Sequence, residues 1–288
     1  MTNQRFISPL RYPGGKGKVA NCFSKLFTDN NLVGGTYVEP YVGGGSVALS
    51  LLFSGLASKI IINDKDRSLY AFWYSVLYYP NNLCRLIRDT PVDVQTWRIQ
   101  KEVQTRKKDA GLLELGFSTL YLNRTNRSGI LNGGVIGGLD QTGNFLIDAR
   151  FNKENLIERI QKIAKYVSQI ELHNEDALTL VASLRDVLPK KTLFYFDPPY
   201  YVKGKGLYMN YYTDEDHENI AKEISLIDKQ KWVVTYDCVP FIKNLYKNYR
   251  MCPFDLNYSA AKVGKGREVM IFSKRFRIPK DELFNISE

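Results

Sequence analysis

Short apolar runs alternate with longer amphipathic stretches at both ends of this chain of 288 residues. Several of the runs are continuously apolar, which is typical of strands buried on both faces of a sheet. Strands of this kind, separated by helices, predict an α/β fold with a mostly parallel, twisted sheet covered on both sides. The predicted strands are residues 36–40, 59–63, 169–173, 192–196, 231–236 and 268–273.

Three amphipathic stretches with recognisable ends predict helices of the same core. Residues 46–55 begin with a serine in the capping position and end on a glycine. Residues 155–167 place four apolar side chains on one helical face. Residues 213–224 begin with a threonine and continue with an acidic first turn, which favours a helix start.

The middle of the chain has a different pattern. Residues 67–165 begin with helical stretches and end with a glycine-rich segment at 127–147, where DQTGN predicts a tight turn between two short strands. We therefore predict a core in two parts, residues 1–66 and 166–288. A mainly helical subdomain with a β-hairpin, residues 67–165, interrupts that core.

Composition and charge narrow the class of protein. Hydrophobic residues make up 44% of the chain, enough for a sizeable core. The chain has 40 basic and 30 acidic residues, and its net charge of +10 favours an anionic partner such as nucleic acid. Four scattered cysteines and two histidines fit neither a disulfide framework nor a zinc site, so we expect no metal.

The chain has no apolar run near the roughly 20 residues that a membrane span needs. Its N-terminal sequence also lacks the apolar region of a signal peptide. These observations predict a cytoplasmic protein with no membrane partner.

Candidate ligand-binding residues follow the predicted strands, because ligands bind at the carboxyl ends of the strands in an open parallel sheet. The loop after the first strand carries three glycines, Gly43–Gly45, which allow close backbone approach to a ligand or form a tight turn. Asp64 follows the second strand and either accepts from ribose hydroxyls or caps a helix. Asp176 follows another strand and either reaches an adenine amino group or caps the next helix.

The segment LFYFDPPY, residues 193–200, gives the most specific signal. Two prolines fix their own backbone and restrict the residue before them, so Asp197 and the carbonyl of Pro198 form a stiff array. Neither Pro198 nor Pro199 has a backbone N–H, and Tyr200 adds a flat ring. Two acceptors beside an aromatic face suit a planar ligand that carries an amino group.

These motifs, in this order, resemble the Dam-type family of S-adenosylmethionine-dependent DNA adenine-N6 methyltransferases. The resemblance covers most of the chain. It rests on LRYPGGKGK, EPYVGGGS, IINDKD, LYLNRTNRSGI, DPPY and EVMIFS. It implies a Rossmann-like methyltransferase core with an inserted target-recognition subdomain, double-stranded DNA as partner, S-adenosylmethionine as methyl donor and no required metal. A cognate restriction endonuclease acting separately on the same site is a further partner that the resemblance suggests.

The resemblance also implies the roles of individual residues. Asp197 would serve both the cofactor and the target amine, Pro198 would supply the acceptor carbonyl beside Pro199, and Tyr200 would stack on a flipped adenine. The cofactor-binding residues that it implies are Tyr12, Lys16, Glu39, Gly43, Gly45, Asp64, Asp176 and Asp197.

The resemblance also implies that the segment LYLNRTNRSGI recognises the target, with residues that can read base edges or contact DNA. They are Asn123, Arg124, Asn126 and Arg127. Dam-type proteins usually carry F-N-G-L where this chain reads NRSGI, so a GATC target does not follow.

Three other functions are weighed against adenine methylation. Cytosine-N4 methylation uses the same acceptor chemistry, and a non-catalytic DNA-binding relative could share the fold. A nicotinamide-dependent dehydrogenase is disfavoured because the glycine loop lacks G-x-G-x-x-G spacing.

Overall fold

The computed structural model describes residues 7–11, 16–202, 212–258 and 264–278. These residues divide into two compact units. Unit 1 combines residues 7–11 with Asp64–Asn174. Unit 2 combines residues 16–63 with the described part of Glu175–Glu288.

Seven strands and ten α-helices are found in the described residues. The strands are β1 (Gly35–Glu39), β2 (Ala57–Asn63), β3 (Ile170–His173), β4 (Thr192–Phe196), β5 (Lys231–Asp237), β6 (Arg250–Tyr258) and β7 (Gly264–Phe272). The helices are α1 (Lys16–Asp29), α2 (Ser46–Phe53), α3 (Arg67–Tyr78), α4 (Pro80–Asp89), α5 (Val94–Thr105), α6 (Leu112–Thr125), α7 (Lys153–Ala164), α8 (Ala177–Leu184), α9 (Asp214–Ser225) and α10 (Pro240–Leu245). No described helix has both the length and the apolar content that a membrane span would need.

Six of the strands form the sheet of unit 2 in the order β2-β1-β4-β5-β7-β6. The first four are parallel to one another, whereas β7 runs antiparallel to both β5 and β6. Every residue of β4 is buried, as expected for a strand at the centre of a sheet. The predicted α/β fold with a mostly parallel sheet is confirmed.

The apolar core of unit 2 joins the sheet to its helices. Side chains from β1, β4, β5 and β7 pack with those of α8, α9 and α10, and the largest include Phe194, Phe196, Trp232 and Tyr246. The predicted start of α9 is confirmed, because Thr213 and Asp216 form a capping box.

Strand β6 was not expected from the sequence. It mixes polar and apolar residues and contains Pro253, so its pattern resembles neither a buried strand nor a clean alternation. The strand lies at the edge of the sheet and has one partner, β7. Proline is tolerated at such an edge because no second strand needs its missing N–H.

Unit 1 is mainly helical, but the hairpin predicted around DQTGN is wrong. Residues 127–147 form turns and short 3-10 segments instead, with an isolated bridge between Asn126 and Val135. Gly137 and Gly138 have φ angles of 85° and 79°, which turn the chain away from an extended path.

The side chain of Gln141 organises this loop. Its Nε2 donates to the carbonyl oxygens of Ile136 at 2.9 Å and Gly138 at 2.6 Å, and its Oε1 accepts from the N–H of Ile147 at 2.8 Å. The loop is thus held in part by one amide side chain. A hairpin would instead be held by backbone hydrogen bonds between its two strands.

Helices α3 and α6 approach each other closely at Gly116. A Cβ on Gly116 would lie 2.4 Å from the carbonyl oxygen of Ala71 and 2.3 Å from Oγ of Ser75. We predict that Gly116→Ala lowers the free energy of unfolding by about 1–3 kcal/mol. The clash with backbone outweighs the roughly 1 kcal/mol that alanine gains in a helix.

Urea unfolding followed by circular dichroism measures this change. Gly111→Ala is the matched control, because a Cβ at Gly111 meets no atom within 4 Å. Equal stability of the two variants would contradict the close α3–α6 contact.

Candidate active site

The segment DPPY lies directly after β4. This strand pairs in parallel with β1 on one side and β5 on the other, and both neighbours end near the same edge of the sheet. Pro198 is buried, while Asp197, Pro199 and Tyr200 are partly exposed. The prolines contribute carbonyl acceptors without N–H donors, so the tip of β4 offers acceptors to a ligand.

The carboxylate of Asp197 is oriented by β5. Oγ1 of Thr235 lies 2.7 Å from Oδ1 of Asp197 and 3.0 Å from the hydroxyl of Tyr195. A carboxylate can only accept, so Thr235 donates to Asp197 and in turn accepts from Tyr195. The three groups form a hydrogen-bond chain, and Thr235 is 2% exposed.

The ring of Tyr200 is held by β7. Its hydroxyl donates to Oε2 of Glu268 at 2.7 Å, and Glu268 is 1% exposed. Burial, followed by the negative charges of Asp197 and Glu268, raises the pKa of Tyr200 well above its ordinary value. The phenol therefore stays protonated and keeps donating to Glu268 across the physiological pH range.

The backbone after DPPY is held by Asp237, the last residue of β5. Its two carboxylate oxygens accept from the N–H groups of Tyr201 at 3.0 Å and Val202 at 2.7 Å. The ring of Tyr201 also stacks on Phe241, with centroids 4.7 Å apart. Backbone and side chain of this short stretch are thus both fixed within unit 2.

The glycine loop after β1 leads directly into α2. Gly43 and Gly45 have φ angles of 44° and 60°, in the left-handed region that favours glycine. Gly45 is the N-cap of α2 and supplies no side-chain cap, so backbone lines this turn. Glu39, the last residue of β1, is buried, and its charge together with burial raises the pKa of Tyr37.

Asn63, the last residue of β2, is a buried polar residue that sequence reasoning missed. Its Nδ2 donates to the carbonyl oxygens of Pro40 at 2.9 Å and Glu175 at 3.1 Å, and its Oδ1 accepts from the N–H of Glu175 at 2.9 Å. From the end of β2, this buried amide therefore joins the segment after β1 to the segment before α8. A polar residue ending the apolar run KIIIN was the available signal.

Two of the acids predicted to contact the cofactor, Asp176 and Asp64, also make local contacts. Asp176 caps α8 and accepts from the N–H of Leu178 at 3.0 Å. Oδ1 of Asp64 accepts from the N–H of Asp66 at 3.0 Å, and Asp66 rather than Asp64 caps α3. Tyr12 lies outside the described residues. Lys16 begins α1, and its side chain lies outside the described part of the chain.

Two predicted base-reading asparagines are used inside unit 1. Asn123 donates to the carbonyl oxygens of Arg11 at 2.8 Å and Gly129 at 2.9 Å, and it accepts from the N–H of Arg11. Asn126 accepts from Nε1 of Trp97 at 2.6 Å and donates to two loop carbonyls. These buried amides are already occupied, which differs from the base-reading role expected of them.

The two predicted DNA-contacting arginines have different surroundings. Nε of Arg124 donates to the carbonyl oxygen of Pro9 at 2.6 Å. Burial and the positive charges of Arg159 and Arg11 lower the pKa of Arg124. Arg127, by contrast, is exposed. Of the four predicted residues, Arg127 is thus the one whose side chain is open to solvent.

Within the described ranges, no group of three or more His, Cys, Asp or Glu side chains could hold a metal ion. The polar groups around DPPY instead contact one another and the backbone.

The central strand of a mostly parallel sheet thus ends in the acceptor-rich DPPY segment. Residues 12–260 match the D12 class N6 adenine-specific DNA methyltransferases. This match covers most of the 288 residues, so the chain belongs to that family. The family resemblance seen in the sequence is confirmed.

A curated relative and two solved structures are also similar. Type II methyltransferase M.MjaIII of Methanocaldococcus jannaschii is 23% identical over 244 residues, which cover 77% of this chain and 80% of the relative. The rRNA methyltransferase AviRa of Streptomyces viridochromogenes is 13% identical, with a TM-score of 0.37 and coverage of 88% and 83%. TrmN of Thermus thermophilus is 10% identical, with a TM-score of 0.39 and coverage of 86% and 47%.

The placement of Asn126 predicts a loss of stability when its amide is removed. We expect Asn126→Ala to lower the free energy of unfolding by about 2–4 kcal/mol, because it removes three hydrogen bonds of about 1 kcal/mol each from a buried site. Urea unfolding of purified protein measures the change. The control is Arg127→Ala, whose exposed side chain should matter by less than about 0.5 kcal/mol. A stable Asn126→Ala variant would refute the structural role.

Proposed function

We propose that this DNA methyltransferase transfers a methyl group from S-adenosylmethionine to the exocyclic N6 amino group of an adenine flipped out of duplex DNA. The observation that carries the proposal is the tip of β4. There, Asp197 and the Pro198 carbonyl form an acceptor pair with no competing N–H from either proline, and Thr235 fixes the carboxylate. An amino group with two hydrogens to donate is the ligand that this pair suits.

The glycine loop supports a site for the methyl donor in unit 2. Left-handed Gly43 and Gly45 form a turn that a side chain at either position would strain. Glu39 is the last residue of β1 and lies at the carboxyl ends of the parallel strands, where ligands of such sheets bind. We propose that these residues hold the cofactor together with Asp176 and Asp197. When bound, S-adenosylmethionine supplies an electrophilic methyl group on a sulfonium.

Residues of the DPPY segment prepare the amine for attack. Hydrogen bonds from the amino group to Asp197 and to the Pro198 carbonyl shift its lone pair out of the aromatic ring, which makes the nitrogen more nucleophilic. Tyr200 provides a face for stacking, and its hydroxyl is already fixed by Glu268. The residues therefore act through position and electrostatics, with no need for a histidine base.

Base flipping and DNA binding complete the proposal. A base inside a duplex cannot reach the tip of β4, so the protein must take the adenine out of the stack at a cost of a few kcal/mol. The net charge of +10 favours DNA, and we propose exposed Arg127 of unit 1 as a contact. Asn123, Arg124 and Asn126 would then shape the segment that presents Arg127.

The proposal also includes a biological setting, which one relative supports. M.MjaIII is named a Type II methyltransferase. We propose that this protein also methylates a specific sequence in the cytoplasm, where a cognate restriction endonuclease would act separately on the same site. Tyr12, Lys16 and Asp64 remain predictions from the sequence for cofactor binding.

The carboxylate of Asp197 provides the direct test of this function. We predict that Asp197→Ala lowers methyl transfer to duplex DNA by at least about 10²–10³-fold, because one of two acceptors for the amine is lost. Transfer of labelled methyl groups from S-adenosylmethionine measures turnover, and filter binding shows that DNA affinity changes little. The control, Asp228→Ala, removes an exposed carboxylate of the same unit. Wild-type turnover in Asp197→Ala would refute the assignment.

The proposed DNA contact has its own test. We predict that Arg127→Ala weakens duplex binding and reduces the slope of log affinity against log salt by about 1, because one phosphate contact is lost. Fluorescence anisotropy at several salt concentrations measures this slope. Arg127→Lys keeps the charge and should keep the slope. An unchanged slope in Arg127→Ala would exclude the phosphate contact.

A further inference from the structure

Three polar side chains, from the C-terminal half of β5 and the middle of β7, lie on one face of the sheet. Thr235 and Asp237 are two residues apart on β5, so they project from the same face of that strand. Glu268 is the direct cross-strand partner of Asp237 on antiparallel β7. All three are at most 4% exposed, and their neighbours Val234, Tyr236 and Val269 are buried as well.

Each of the three contacts a different part of the segment after β4. Thr235 donates to the carboxylate of Asp197, Glu268 accepts from the hydroxyl of Tyr200, and Asp237 accepts from the two following backbone N–H groups. Three independent anchors therefore hold the carboxylate, the ring and the backbone. Removing one anchor leaves the other two in place.

We propose that Thr235 is a positioning residue that sets the orientation of the Asp197 carboxylate toward the target amine. This inference rests on the proposed function. The strand register brings Thr235 opposite Asp197. Phe196 pairs with Val234, and Asp197 and Thr235 are the next residues of the two chains. The hydroxyl of Tyr195 donates to Thr235 and so commits the Thr235 proton to Asp197.

A purely structural role would predict a different outcome. Thr192 on β4 is also fully buried, but its Oγ1 has no hydrogen-bond partner among the residues that the structure describes. Thr192→Val therefore makes the same change in volume and polarity within the same sheet without removing a bond to Asp197. It is the matched control for Thr235→Val.

The decisive experiment compares steady-state methylation of duplex DNA by the full chain and its variants. We expect Thr235→Val to lower kcat by about 10–100-fold, because a misplaced reacting group is costly, while KM for DNA changes by less than about twofold. Thr235→Ser keeps a hydroxyl and should restore most of the wild-type kcat. Thr192→Val should behave as the wild type.

A spectroscopic measurement separates this inference from the proposed function. The ¹³C resonance of the Asp197 carboxyl, assigned by its loss in Asp197→Asn, should shift in Thr235→Val and stay in place in Thr192→Val. An unshifted resonance, or equal kcat values for Thr235→Val and Thr192→Val, would overturn the positioning role. If the resonance shifts in Thr235→Val but the wild-type protein transfers no methyl group to DNA, the Thr235 contact is supported and the proposed function is refuted.

Discussion

The hydrogen bond of 2.7 Å between Thr235 and Asp197 is the interaction on which the proposed chemistry depends. It fixes one oxygen of the Asp197 carboxylate at the edge of the sheet. The prolines that follow fix the backbone and remove two donors, so an incoming amino group meets acceptors. Strand β4 can present this tip because it is buried between β1 and β5 along its whole length.

The same edge of the sheet carries the glycine loop. Both features follow neighbouring parallel strands, and parallel strands end on the same side. Asn63 strengthens this edge, because one buried amide bonds to segments that follow β1 and precede α8. The fold thus supplies fixed positions for the proposed donor-binding turn and the proposed amine-binding tip, and neither proposal uses a histidine.

The sequence predicted the parts of the molecule that depend on local pattern. Continuous apolar runs identified the parallel strands, and β4 and its DPPY segment were located to the residue. Edge strand β6 escaped prediction because a strand with one partner and a proline needs neither an apolar run nor strict alternation. The hairpin was wrongly predicted because residues 127–147 form turns, in which the side chain of Gln141 makes three hydrogen bonds that no turn pattern includes.

The residues of the candidate site also divide into those that a local motif indicates and those that only the fold brings together. Asp197 and Tyr200 could be proposed from the sequence because both belong to one short motif, DPPY. Thr235, Asp237 and Glu268 could not, since their role arises from strand register across 38 and 68 residues. A signal was nevertheless present for Thr235, which is a polar residue inside the apolar run of β5. Asn123 and Asn126 were assigned to base reading from residue type alone, and burial gives those amides other partners.

The identity of the methylated base tests the central claim most directly. Unmodified duplex DNA is incubated with the protein and isotopically labelled S-adenosylmethionine, digested to nucleosides and analysed by mass spectrometry. We predict labelled N6-methyl-2′-deoxyadenosine, because the acceptor pair suits an exocyclic amino group and the family is adenine-specific. Labelled N4-methylcytosine without methyladenine would contradict the account, and so would the absence of any methylated base.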